Sequence, residues 1–189
     1  GAWGTALALL LAEKRHAVRL WAFESQVVEA VNADHENPVF LPGVVLPAAL
    51  EATHDHAEAL EGTEMVVYAT PAQHLREIAA AGARYVPPNA TVVVASKGIE
   101  RGTLALMSDV IAHELAGRDV VAISGPSFAA EVAAGLPTAI VAASRSPAAA
   151  SRVQGALSGA RFRVYSHDDI VGVELGGALK NVMAVATGI

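Results

Sequence analysis

Short valine- and isoleucine-rich runs recur along this chain with alanine- and leucine-rich stretches between them, and that alternation constrains the fold more than any other feature. The apolar runs fall at residues 17–21, 65–69, 91–95, 120–123, 138–142 and 162–165. Helical patterns over residues 4–14, 25–32, 73–82, 103–115, 128–134 and 147–157 fill most of the gaps. Continuous apolar strands separated by helices predict a doubly wound α/β fold, with a mainly parallel sheet covered on both faces. In such sheets crossovers are right-handed and ligands bind beyond the carboxyl ends of the strands. A proline-rich loop is expected at residues 37–47, followed by a short polar stretch.

Composition narrows the function classes. Of the 189 residues 53% are hydrophobic and 17% charged, ample for a buried core. No apolar run is read as long enough to span a bilayer, and no basic-then-apolar leader is recognised. A net charge of -6 without a dense basic cluster argues against nucleic acid as partner. With no cysteine there is neither a disulfide framework nor a thiolate metal site, so a reducing cytoplasm fits.

Both ends read as cut. The chain opens without methionine at a tight turn, Gly1-Ala2-Trp3-Gly4, entering a helix, and closes at Ile189 inside a helical pattern. The expectation is a fragment lacking its first strand, with one domain over residues 1–168 and residues 169–189 opening a helical domain. Such a fragment is expected to be poorly stable and inactive by itself, because the apolar face of residues 182–189 would lack cover.

The run Gly176-Gly177-Ala178-Leu179-Lys180-Asn181-Val182 places one positive charge among glycine, alanine and valine. Desolvation would pull that ammonium below its ordinary pKa of about 10.4 and suit it to proton transfer. The bland alternative is a lysine that snorkels from a core helix into water. The paired glycines favour the first reading, since glycine weakens a helix and is best explained by a close approach.

Gly1-x-x-Gly4 opening a helix fits the back half of a GxGxxG dinucleotide fingerprint, although two glycines alone are a weak signal. Glu24, 20 residues after Gly4 and at the end of the next strand, stands where a carboxylate would accept hydrogen bonds from an adenosine ribose. Phe23 beside it offers no charge for a 2′-phosphate, which leans towards NAD over NADP. Trp3 would either pack over the cofactor or staple the first helix.

Ser124-Gly125-Pro126-Ser127-Phe128-Ala129-Ala130-Glu131 leaves a strand and enters a helix, with Ser127 as the expected N-cap and backbone N–H groups free for an anion. The alternative is an ordinary capped loop. Lys97 follows a buried strand and would attract phosphate or cofactor at the sheet's mouth, unless it is simply solvated. His54-x-His56, with Asp55 and Glu58, reads as a solvated loop, and no metal is expected.

Together these residues resemble the bacterial-type NAD(P)-dependent glycerol-3-phosphate dehydrogenase family. The resemblance is carried by Gly1-Ala2-Trp3-Gly4-Thr5-Ala6-Leu7-Ala8, Ala95-Ser96-Lys97-Gly98-Ile99-Glu100, Ser124-Gly125-Pro126-Ser127-Phe128-Ala129, Gly135-Leu136-Pro137-Thr138-Ala139 and, most specifically, Gly172-Val173-Glu174-Leu175-Gly176-Gly177-Ala178-Leu179-Lys180-Asn181-Val182. It implies a Rossmann-type domain, reversible reduction of dihydroxyacetone phosphate to sn-glycerol 3-phosphate with NAD or NADP, and a place in glycerophospholipid synthesis. Lys180 matches the family's proton donor and acceptor. Lys97, Gly125 and Ser127 match substrate contacts, with Lys97 also near the cofactor; Ala2, Trp3 and Ala129 match cofactor contacts, beside the Gly1, Gly4, Phe23 and Glu24 already read from the fingerprint as cofactor-binding. Many members carry arginine or histidine where this chain has Phe23. The family's helical domain follows Ile189 and leaves a homodimer through it open. Two other readings stand beside this one: another β-hydroxyacid-type dehydrogenase, and a nucleotide-sensing module without chemistry.

Overall fold

The computed structural model describes residues 1–188; Ile189 lies outside the described residues. The first part of the chain runs α1 (Ala2–Glu13), β1 (Arg19–Trp21), α2 (Ser25–Asp34), β2 (Glu36–Asn37), β3 (Leu41–Val45), β4 (Glu51–Thr53) and α3 (His56–Leu60). The remainder runs β5 (Met65–Tyr68), α4 (Leu75–Gly82), β6 (Thr91–Val94), α5 (Met107–Glu114), β7 (Val120–Ser124), α6 (Ala129–Ala133), β8 (Thr138–Ala143), α7 (Pro147–Leu157), β9 (Phe162–His167) and α8 (Ile170–Thr187). Short 3-10 turns at Ala72–His74 and Ala83–Tyr85 flank α4.

The main sheet has the order β5-β6-β7-β8-β9 and is parallel except between β7 and β8. The direction reverses after α6, where Gly135 takes φ +69 and turns the chain back. Every residue of β6 is buried, as a strand covered on both faces requires. On one face Val93, Val121, Ile140 and Val164 pack with Leu7 of α1 and Val153 and Leu157 of α7. On the other, Val66, Val92 and Val94 pack with Leu75 and Ala79 of α4 and Val110 and Ile111 of α5. The expected doubly wound α/β architecture is the one found.

β1 pairs with β4 as a separate parallel ribbon. Among the described residues β1 and β5 each have one unpaired edge, and both line one groove floored by Leu7, Ala8 and Leu11 of α1.

Four sequence expectations are corrected here. The loop at residues 37–47 contains the antiparallel pair β2–β3, held by the fully buried Asn37, which donates to Thr5 Oγ1 (2.8 Å) and accepts from the Phe40 N–H (3.1 Å). The polar stretch after it forms β4 and α3, because Asp55 caps α3 by accepting from the Ala57 and Glu58 N–H groups. His56 is not simply solvated: its ring stacks on Trp21 at 4.7 Å. The helix expected from residue 103 begins at Met107, since Thr103 bonds the Glu100 carboxylate and Leu104 adopts φ +59, outside helical space.

α8 also departs from expectation. At 18 residues and mean hydropathy 1.3 it is long and apolar enough to cross a membrane by length and composition. Its first half docks on the sheet instead: Ile170 packs with Ala122 and Ala143, and Val173 joins them. Val182, Met183 and Val185 in its second half are 60–66% exposed.

Replacing Asn37 with alanine leaves the part-buried Phe40 N–H without its acceptor, while the Thr5 hydroxyl loses one donor and keeps its bond to Gly1 O. Unsatisfied buried groups cost about 1–3 kcal/mol, so Asn37→Ala should lower the unfolding free energy by that amount in urea denaturation, with an unchanged m-value.

Candidate active site

The carboxyl ends of β5, β6 and β7 lie on the same edge of the sheet, and the three loops leaving them are tied together by side chains. Ser96, after β6, donates its hydroxyl to Thr70 O (2.6 Å), after β5. The Lys97 ammonium donates to Gly125 O (3.0 Å), after β7. Ser127 donates to the same carbonyl at 3.3 Å. Gly125 must be glycine: an added Cβ would sit 2.9 Å from both Ala139 O and Ile140 Cα, and backbone cannot move aside.

α8 closes against this edge. Gly177 lies so near Ser124 that an added Cβ would overlap its hydroxyl, and it also approaches the Lys97 side chain. The close approach expected of the paired glycines is therefore found at Gly177, whereas Gly176 faces open space. One turn further on, Lys180 Nζ stands 5.6 Å above the Phe128 ring. Burial lowers the Lys97 pKa, and the charge of Lys180 lowers it further, so the two ammoniums feel one another. Among the described residues neither forms an ion pair.

The desolvation expected at Lys180 itself is not found. Its side chain is exposed, because the second half of α8 has no covering element among the described residues. The expected N-cap is also corrected: Phe128, not Ser127, occupies that position, no side chain caps α6, and α6 has only five residues.

Gly1, Ala2, Trp3, Gly4, Phe23, Glu24, Lys97 and Ser127 line the groove between β1 and β5, which encloses about 1550 Å³. Gly125 touches this group through Lys97. Ala129 instead packs into the core from α6, and Lys180 reaches the edge from α8. Gly4 faces Ala69 of the loop after β5, where an added Cβ would meet the alanine methyl at 3.4 Å. α1 starts at Gly1 without a side-chain cap and with no acidic residue in its first turn, which leaves its N–H groups free towards the groove. Trp3 Nε1 and Thr70 Oγ1, both from groove-lining residues, are buried without partners. Glu24, three residues beyond β1, occupies the N-cap position of α2 without a side-chain cap bond, so its carboxylate is uncommitted. Phe23 is 79% exposed beside it. These donors and this acceptor fit a dinucleotide: amides and an indole for phosphates, a carboxylate for ribose hydroxyls. Among the described residues no cluster of three metal-ligating side chains occurs.

The family described as NAD-dependent glycerol-3-phosphate dehydrogenase N-terminus matches residues 1–150. The chain belongs to the NAD-dependent glycerol-3-phosphate dehydrogenase family. A glycerol-3-phosphate dehydrogenase [NAD(P)+] of Geobacter sp. (strain M21) is 47% identical over the whole chain, which spans 57% of that protein. One from Paramagnetospirillum magneticum (strain ATCC 700264 / AMB-1) is 49% identical, with 68% of it covered. The crystal structure of glycerol-3-phosphate dehydrogenase from Coxiella burnetii superposes with a TM-score of 0.93 at 40% identity, covering all of this chain and 57% of that one. A GDP-mannose dehydrogenase at 15% identity and TM-score 0.77 shares the fold alone.

Three features of this candidate site carry no reading in the sequence analysis. Phe128 faces Lys180, although an aromatic residue beside a glycine-proline turn gives no signal of its partner. Glu174, buried, bonds Ser108; a lone carboxylate in an apolar helix was a signal available in the sequence. Arg76 of α4 bonds Glu100 (2.8 Å) and Glu114 of α5 (2.5 Å), anchoring the segment that follows Lys97. Partners 24 and 38 residues away leave no local pattern.

The Arg76 guanidinium, followed by Thr103, holds the Glu100 carboxyl down to about 2. A depressed carboxylate contributes stability that is present above the ordinary carboxylate range and lost as pH falls towards about 2. In Arg76→Ala the Glu100 titration followed by NMR should return most of the way to that ordinary range, and the loss of stability on acidification should begin at higher pH. For Gly125→Ala, overlap with backbone should cost about 1–3 kcal/mol and release Lys97, seen as lower thermal stability together with weaker phosphate-dependent protection.

Proposed function

We propose that this chain is the cofactor-binding and catalytic-lysine portion of an enzyme that reduces dihydroxyacetone phosphate to sn-glycerol 3-phosphate, and reverses the reaction. The observation that carries this reading is the pair of lysines, Lys97 and Lys180, at the carboxyl edge of the sheet beside the groove. Two cations without carboxylate partners among the described residues suit a small dianionic substrate, and one of them is needed as an acid.

In this reading NADH supplies hydride to the carbonyl carbon. Lys180 Nζ–H donates to the carbonyl oxygen as negative charge develops there, and the proton passes to that oxygen to give the alcohol. In reverse, neutral Lys180 takes the hydroxyl proton. Lys97 lies against the substrate phosphate and the cofactor, fixed by the Gly125 carbonyl, and Ser127 adds a hydroxyl. Gly1, Ala2, Trp3 and Gly4 would receive the pyrophosphate and Glu24 would hold the adenosine ribose, with Ala129 supporting the loop from the core side. Glu24 beside uncharged Phe23 favours NAD, since a 2′-phosphate would meet a carboxylate there. Residues 1–168 form the dinucleotide-binding domain and residues 169–189 open the substrate domain. The reducing cytoplasm is the compartment in which we place it, with a homodimer as its assembly and a product destined for glycerophospholipid synthesis.

The test is an assay of the full-length enzyme with dihydroxyacetone phosphate, comparing NADH with NADPH. Oxidation of NADH should be the faster. Groups that stabilise developing charge contribute about 2–4 kcal/mol, roughly 10²–10³-fold, so Lys180→Ala should lose at least that in kcat while NADH binding changes little. Near-normal turnover in that variant would remove Lys180 from the role. Faster reduction of a phosphate-free keto acid would favour a β-hydroxyacid dehydrogenase instead.

A further inference from the structure

α8 carries Lys180, and a buried carboxylate six residues earlier on the same helix bonds the start of another one. Glu174 is 8% exposed, the single ionisable side chain among the buried polar residues described. It accepts a hydrogen bond from the Ser108 N–H at 2.8 Å and a second, short one from the Ser108 hydroxyl. Ser108 lies in the first turn of α5, whose N-cap residue, Leu106, has no side-chain cap. The four leading N–H groups of a helix have no partner within it, and an anion there also meets the positive end of the helix dipole. Glu174 thus supplies, from 66 residues away, the cap that α5 lacks.

We propose that Glu174 is a positioning residue: by capping α5 it fixes the tilt of α8 and thereby the place of the Lys180 ammonium. The contacts of α8 with the sheet are Ile170 and Val173 against Ala122, Val141 and Ala143, and Gly177 against Ser124. The aliphatic contacts can slide and Gly177 has no side chain to hold. Glu174, between them, makes the directional bonds. From Glu174 to Lys180 the helix rises about 9 Å, so a tilt of about 10° at the clamp moves the lysine by roughly 1.5 Å. Displacements of about 1 Å in a reacting group cost on the order of 10²-fold in rate. Burial pushes the Glu174 carboxyl up while the Ser108 bonds pull it down, as expected of a carboxylate kept in the interior for its hydrogen bonds.

This inference rests on the reading of Lys180 given above, and its test separates the two. In the full-length enzyme, Glu174→Ala should lower kcat with dihydroxyacetone phosphate by about 10–100-fold, leave KM for NADH within about twofold, and speed amide exchange over residues 175–182. Glu174→Gln should restore most of kcat, because its carbonyl can accept from the Ser108 N–H and its amide can donate to the Ser108 oxygen. Ser108→Ala, which removes one of the two bonds and spares folding, should show a smaller loss in the same direction. Unchanged kcat in Glu174→Ala, or in Ser108→Ala if the first variant fails to fold, overturns the proposal. So does a Gln variant no better than Ala, or an equal loss of NADH binding. A wild type that does not reduce dihydroxyacetone phosphate defeats the functional reading alone, and amide exchange of α8 then still reports on the clamp.

Discussion

Two ammonium groups held within electrostatic reach of one another, at the edge where three parallel strands end, set the terms for the rest of this structure. Burial lowers the Lys97 pKa, and the nearby charge of Lys180 lowers it further. The scaffold compensates locally: Lys97 donates to the Gly125 carbonyl, and Lys180 lies over the Phe128 ring. A carbonyl dipole and a ring quadrupole orient a cation without neutralising it. A net positive field remains at this edge of the sheet, which under the function proposed above would receive the substrate's phosphate.

Much of the surrounding geometry exists to bring those two side chains together. Gly125 is glycine so that β7 can leave the sheet with its carbonyl facing Lys97, because Ala139 and Ile140 occupy the space a Cβ would need. Gly177 is glycine so that α8 can lie on Ser124. The Arg76–Glu100–Glu114 network tethers the segment after Lys97 to two helices behind it. Each is a different physical device, namely steric permission, close approach and charge pairing, directed at one edge of the sheet.

The elements with a strong local signal were legible from the residues. Val92, Val93 and Val94 announce a buried strand because burial on both faces leaves no place for polar alternation. Residues 147–157 form a helix with those bounds, since Ser146 caps the start and Pro147 suits the first turn. What failed to be legible depended on partners distant in sequence. The pair β2–β3 is held by Asn37 reaching Thr5, and α5 starts late because Thr103 and Glu100 bond one another. At the site, the sequence reads the glycine turn and Glu24 as one dinucleotide-binding feature and Lys97 as a separate lysine at the sheet's mouth; in the structure all of them line one groove. The burial of Lys180 was inferred from its neighbours' composition, but composition describes a helix, not what covers it. Its neighbours Val182 and Met183 are themselves exposed.

That last difference bears on how the proton would be managed. In the reaction proposed above, reduction would ask for an ammonium at Lys180 and oxidation for a free amine. Val182, Met183 and Val185 follow Lys180 along the same helix. At about 100° per residue the two valines lie on the side of α8 turned away from Lys180, and only Met183 stands near it. An element covering the valines would leave the ammonium in water, so burying α8 and desolvating its lysine are separate events that need separate contacts.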